Sequence, residues 1–248
     1  RVAKASRIWV EGTEIAGLAD EPLLELRRKL GFLFQGAALF DSMSVCENVG
    51  LMLKEHSGWP ESKIRDRACE CLAMVGLEGA EDKAPSELSG GMKKRAGLAR
   101  AIALDPEILF FDEPSAGLDP ITAAEVDNLI QKLNKVFGIT MVVVTHDLQS
   151  AHTIADRIAV LHEGKVLRCA GRDLIWSDPD PRIRGFIERR LQVGLVLTEL
   201  RRGIDVDGAA VLGDPLSDLP RQVEVLEHLE DARRLGRVVP AAGGGEVG

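Results

Sequence analysis

Two carboxylates stand side by side at Asp112-Glu113, directly after the wholly apolar run Ile108 to Phe111. Paired carboxylates at the mouth of a buried strand suit a cation and a water molecule being readied for attack. Upstream, Ser89-Gly90-Gly91 places a hydroxyl and two glycines at the start of a helix pattern that runs from Met92 to Leu104. Glycines let backbone approach a ligand, and the first free N–H groups of a helix make an anion site. Two further polar groups end apolar runs: Gln35 after Gly31-Phe32-Leu33-Phe34, and His146 after Val142-Val143-Val144-Thr145. Singly, each reads as a strand-end cap or a satisfied histidine. Their common placement is the argument.

The elements that must hold these groups alternate. Pro22 to Leu30, Val45 to Glu55 and Pro60 to Val75 carry helix patterns, the last closed by Gly76. Pro120 to Phe137 places Val126, Leu129, Ile130, Leu133, Val136 and Phe137 at three- and four-residue steps on one face. Ile139 to Val144 is a β-branched run of the kind buried on both faces of a parallel sheet. Leu148 to Ala155 reads as a helix, Arg157 to Leu161 as a strand, and Glu163-Gly164-Lys165 as a turn returning through Val166 to Cys169; Arg182 to Arg190 closes the pattern as a helix. Strand and helix in alternation predict an α/β domain with a mainly parallel sheet, in which ligand groups gather beyond the carboxyl ends of the strands. From about Gln192 the character changes. Leu191 to Leu200 is apolar without a clean period, Gln222 to Leu235 has a helix pattern, and Ala241 to Gly248 reads as a flexible end.

Composition excludes several classes. A net charge of −8 argues against nucleic acid as the main partner. The Lys93-Lys94-Arg95 cluster is read accordingly as a solvated helix face. No apolar run reaches the roughly 18 residues that a membrane-spanning helix needs. The four cysteines (Cys46, Cys69, Cys71, Cys169) form no disulfide framework; Cys69 and Cys71 point apart on a helix and read as ordinary reduced thiols.

Leu88-Ser89-Gly90-Gly91-Met92 resembles the signature motif of ATP-binding cassette (ABC) ATPases. Ile108 to Glu113 resembles their Walker B strand with its glutamate, Ser115-Ala116-Gly117-Leu118-Asp119 their D-loop, and Gln35 with Ala38-Leu39-Phe40 their Q-loop. The resemblance covers roughly Arg7 to Arg190 and implies a P-loop NTPase-like fold with a helical subdomain at about residues 42–100. It implies ATP and Mg²⁺ as cofactors. Glu113 would be the general base, and His146 would bond the γ-phosphate and fix the geometry of Glu113. Asp112 and Gln35 would serve the metal, with Gln35 also reaching the attacking water. Ser89, Gly90 and Gly91 would bind the nucleotide of a second ATPase subunit, and Asp119 would communicate across that dimer.

Met92, the Asp119-Pro120-Ile121-Thr122 continuation and Asp180-Pro181-Arg182-Ile183-Arg184-Gly185-Phe186 further resemble the ATPases of MCE-type (mammalian cell entry) lipid transporters, which act in lipid asymmetry and solvent tolerance. That implies an ATPase driving phospholipid transport, with a transmembrane permease and an MCE-domain lipid-binding protein as partners. The chain would lie peripherally on the cytoplasmic face of the inner or plasma membrane, or on a plastid stromal face. Rival readings are the ATPase of a small-solute, amino-acid type importer and a non-catalytic docking subunit.

One motif is absent. The 248 residues contain no G-x-x-x-x-G-K-[ST]; at Gly164-Lys165 the next residue is Val166, and Ala159 stands where the first glycine belongs. The expectation is an amino-terminally truncated ABC ATPase, residues 1–190, followed by a tail over 191–248, with weak ATP binding and an open, apolar strand slot in the sheet.

Overall fold

The structure is a computed structural model that describes residues 9–10, 12–15, 17–188 and, as backbone, 196–200. By itself stands a small antiparallel hairpin, β1 (Trp9–Val10) with β2 (Thr13–Glu14). Helix α1 (Asp20–Arg28) follows; it begins two residues ahead of the expected Pro22, with Asp20 and Glu21 at its positive end and Arg27 and Arg28 at its negative end.

The compact unit running from Leu24 to Asp205 contains the main sheet. Its first strands are β3 (Leu30–Leu33), β4 (Ile108–Asp112) and β5 (Thr140–Thr145), paired in parallel in that order. Leu33, Leu109, Phe111, Met141 and Val143 are buried, and Phe32 stacks on Phe110 with ring centroids 5.0 Å apart. Strands β6 (Arg157–His162) and β7 (Lys165–Gly171) form the predicted hairpin at the far side.

Between β5 and β6 lies β8 (Val196–Leu200), antiparallel to both. The sheet order is therefore β3-β4-β5-β8-β6-β7, and β6 runs parallel to β5 across the inserted strand. The open slot expected from the sequence is not found; residues assigned to a tail fill it. The sheet is mixed, with β3, β4, β5 and β6 sharing one direction. The helix pattern at Gln222 to Leu235 and the end from Ala241 lie outside the described residues.

Three α-helices lie between β3 and β4. Helix α2 (Val45–His56) starts in a capping box: the Ser44 hydroxyl accepts from the Glu47 N–H at 3.2 Å, and the Glu47 carboxylate accepts from the Ser44 N–H at 2.7 Å. Helix α3 (Glu61–Met74) approaches it so closely that a Cβ at Gly50 would lie 2.8 Å from Ile64 Cγ2. Helix α4 (Gly90–Ile102) begins two residues earlier than the apolar pattern suggested, because Ser89 caps it through the Met92 N–H at 3.2 Å. It packs on β3, where a Cβ at Gly31 would sit 2.4 Å from the Ala101 carbonyl oxygen.

Helix α5 (Pro120–Phe137) matches its predicted limits, with Asp119 as N-cap, Pro120 in the first turn and Gly138 at φ 64° as the left-handed cap. Its buried face is Val126, Ile130 and Leu133, whereas Val136 and Phe137 stay exposed beyond the sheet. Helix α6 (Leu148–Ile154) follows β5 under an Asp147 cap. Helices α7 (Arg172–Trp176) and α8 (Pro181–Ile187) close the unit over Ile158 and Val160, α7 having escaped the sequence pattern because it spans only five residues.

Candidate functional site

Because β3, β4 and β5 run in parallel, their carboxyl ends present Gln35, Asp112-Glu113 and His146 at one edge of the sheet. Glu113 and His146 meet directly. The Glu113 Oε1 lies 2.7 Å from His146 Nδ1 and accepts from the His146 N–H at 3.2 Å, while Oε2 accepts from the Thr145 hydroxyl at 3.3 Å. Glu113 carries its side chain from a left-handed backbone setting, φ 49°, and its N–H donates to the Val144 carbonyl at 2.8 Å. Neighbouring Asp112 is 9% exposed at the last position of β4. A polar carboxylate pair thus ends a buried strand, with Asp112 buried and Glu113 partly buried beside the exposed His146.

Gln35 is not brought into this pair. It lies exposed in the turn after β3, and no hydrogen bond joins it to Glu113 or His146. The turn itself is held from two sides. Ala37 and Ala38 both take left-handed backbone angles, φ 60° and 47°, and Arg100 from α4 donates to their carbonyl oxygens. Asn48, fully buried at the start of α2, accepts from the Phe40 N–H at 2.7 Å and donates to the carbonyls of Phe40, Met43 and Ser44. Sequence reasoning missed both residues. Asn48 carried a signal, a polar side chain on the apolar face of α2; Arg100 looked like any other helix arginine.

Ser89 and Gly90 are exposed at the amino end of α4, and Gly91 behind them is buried. Gly91 is the position where only glycine fits, since a Cβ there would lie 2.4 Å from Thr122 Cγ2. That contact packs the start of α4 against the start of α5. Asp119 caps α5 by accepting from the Ile121 and Thr122 N–H groups at 3.1 Å each and from the Thr122 hydroxyl at 2.5 Å; these bonds to Thr122 hold its carboxyl below the usual range. Ser89-Gly90-Gly91 and Asp119 therefore form one corner, separate in bonding from the Glu113–His146 pair.

Two polar groups contradict or extend the sequence reading. Lys94 is not on a solvated face; it is 5% exposed. Asp127 is buried on α5, and burial raises its carboxyl pKa to about 6, with Asp147 adding to the rise and a bond from Ser150 opposing it. Ser150 lies 3.3 Å, oxygen to oxygen, from Ser115, so a polar thread runs from α5 through α6 to the residue two beyond Glu113.

Among the described residues no group of three or more His, Cys, Asp or Glu is placed to hold a metal ion. The available donors are instead hard oxygens few in number, Asp112 with Gln35 in the neighbouring turn. Mg²⁺ is typically bound by one or two protein oxygens and completed by phosphate and water, so this donor chemistry fits that ion in company with a phosphate.

Comparison with known proteins gives the family and the fold. Residues 2–116 match the family model described as ABC transporter. The chain is 42% identical over 183 residues to a Mycobacterium tuberculosis protein named as a probable ribonucleotide transport ATP-binding protein, mkl, covering 74% of this chain and 51% of that one. It is 41% identical over 181 residues to the intermembrane phospholipid transport system ATP-binding protein MlaF of Escherichia coli K12, covering 73% of this chain and 67% of that one. Among solved structures, the dimeric bacterial ABC transporter cassette MJ0796 superposes with a TM-score of 0.60 at 36% identity, over 67% of this chain and 73% of that one. The chain belongs to the ATP-binding subunits of ABC transporters, with the cassette fold of that family. It spans about half the length of mkl.

Proposed function

We propose that the chain is the ATP-hydrolysing subunit of an ABC transporter that moves phospholipid across or between membranes. The observation that carries the reading is the Glu113–His146 contact at the joined ends of β4 and β5. A carboxylate fixed by an imidazole at a strand mouth is suited to orient a water against a phosphoryl group. Asp112 and Gln35 would hold Mg²⁺ with the phosphates, and Mg²⁺ would supply charge neutralisation there. Ser89, Gly90 and Gly91 offer the free N–H groups of α4 to an anion, and Asp119 faces the same corner.

A second ATPase subunit, a transmembrane permease and an MCE-domain lipid-binding protein are the partners this reading requires. The dimeric state of the MJ0796 cassette supports the first, and the likeness to MlaF, named for intermembrane phospholipid transport, supports the lipid cargo. Among the described residues no helix is long and apolar enough to cross a membrane. The reading places the chain peripherally on the cytoplasmic side, held by the permease.

The test is ATP turnover by the chain assembled with its permease. Loss of turnover in Glu113→Gln, with assembly retained, supports the reading; turnover indifferent to that change sinks it. Identification of the copurifying permease decides the cargo, and an amino-acid type importer in that place would overturn the lipid assignment. A second reading, a non-catalytic docking subunit, is favoured by the absence of G-x-x-x-x-G-K-[ST] from the 248 residues. Binding of a fluorescent ATP analogue to the assembled complex distinguishes it, because a docking subunit contributes no nucleotide site.

A further inference from the structure

A lysine buried in a helix has to answer for its charge. Lys94 does so across an element boundary: its Nζ donates to the main-chain carbonyl oxygen of Glu113 at 2.8 Å. The same carbonyl accepts from the Ala116 N–H at 3.2 Å, and the Glu113 N–H is bonded to Val144 at 2.8 Å. Both peptide groups flanking Glu113 are thereby pinned, one to β5 and one to α4. Between them the residue holds φ 49°, a setting that an L-residue rarely keeps unless its surroundings impose it.

We infer that Lys94 is a positioning residue for Glu113, fixing the carbonyl of that residue so that its carboxylate leaves β4 toward His146. The inference rests on the proposed function only for the role of Glu113 as the base. The geometry makes the aim of the carboxylate depend on α4. Lys94 lies five residues beyond Ser89, about 7.5 Å along the same helix, so a shift at the anion-suited end of α4 is carried to the Glu113 backbone. Burial pushes the Lys94 ammonium below its usual pKa, while the Asp112 and Glu113 charges favour its protonated form. A four-carbon stem with a compact ammonium reaches the carbonyl from within the helix; methionine matches the four-atom stem without the donor.

The experiment uses the full chain carrying Lys94→Met, Lys94→Arg or Glu113→Gln, without nucleotide. The imidazole ¹⁵N resonances of His146 report its hydrogen bond to Glu113. Lys94→Met is expected to move them toward the Glu113→Gln values, and Lys94→Arg to hold them near wild type. Unchanged His146 resonances in a folded Lys94→Met, alongside a clear change in Glu113→Gln, would overturn the inference. Should Lys94→Met fail to fold, the decisive measurement is the hydrogen-bond coupling between Lys94 Nζ and the Glu113 carbonyl carbon in the wild-type chain: its presence supports the inference and its absence overturns it. In the assembled transporter, Lys94→Met should lower kcat on the order of a hundredfold with KM little changed. Turnover at the wild-type kcat refutes the positioning role. A wild-type complex with no turnover at all refutes the ATPase reading instead, and the His146 resonances still decide the role of Lys94.

Discussion

Arg100 holds Ala37 in a left-handed backbone conformation by donating from Nη2 to its carbonyl oxygen at 2.7 Å, while Nη1 reaches the next carbonyl, of Ala38, at the same distance. Two consecutive alanines at positive φ are costly, about 1–3 kcal/mol each. A guanidinium with two parallel donors matches two adjacent carbonyls, and its charge strengthens both bonds. The turn that displays Gln35 is thus set by a residue more than sixty positions away in sequence.

Arg100→Met should therefore release the turn. Removing two charge-assisted bonds is expected to lower unfolding stability by about 2–4 kcal/mol, measured by urea denaturation. Limited proteolysis should cut within residues 36–44 before anywhere else in the unit. Arg100→Lys should recover less than half the loss, because one ammonium cannot span both carbonyls in the same plane. A lysine variant as stable as wild type would refute the two-carbonyl account.

Asp127 gives the fold a pH dependence of definite sign. Its carboxyl titrates near 6 in the folded chain, raised mainly by burial, against about 3.9 when unfolded. The folded state therefore favours the protonated form. That contribution is complete below about pH 4 and is lost as pH rises through 6. Asp127→Asn, which keeps an acceptor for Ser150, should match wild type at pH 4 and be more stable by up to about 2–3 kcal/mol at pH 8. Thermal unfolding across that range tests it; a variant less stable than wild type at pH 8 would show that the ionised carboxylate is needed.

The cysteines should react in two classes. Burial pushes the thiols of Cys46 and Cys71 up to about 11, Cys46 being raised further by the neighbouring Cys69. At pH 8 each should alkylate roughly a hundredfold or more slower than an ordinary exposed thiol. Cys69 and Cys169 are half-buried and should label first, which peptide mapping after timed iodoacetamide treatment resolves. Early labelling of Cys71 would mean that α3 separates from its neighbours in solution.

The sequence was informative where one local rule fixes one element. The β-branched run before Thr145, the Pro120 and Gly138 stops of α5, and the Ser-Gly-Gly start of α4 all announce themselves within a few residues. It was silent where the partner is distant. Nothing within Lys93-Lys94-Arg95 says which of three like charges turns inward; that is decided by the Glu113 carbonyl across the helix–strand contact. Nor does the run before Leu200 reveal its place, since apolar residues without a period suit a core strand in any order or direction. Val136 and Phe137 show the converse error: a continuous apolar stripe outlasted the sheet it was meant to cover.

The antiparallel insertion of β8 also sets an order of events during synthesis. Strands β3, β4 and β5 can pair as soon as residue 145 is available, and β6 with β7 by residue 171, but the two groups share no ladder of their own. Among the described residues, only Val196–Leu200 bonds to both. At a translation rate of about 5–20 residues per second, the sheet waits several seconds between the completion of β5 and the arrival of the strand that joins its halves. During that interval the edges of β5 and β6 that β8 will cover stay unpaired, the condition in which chaperone binding or mispairing competes with folding.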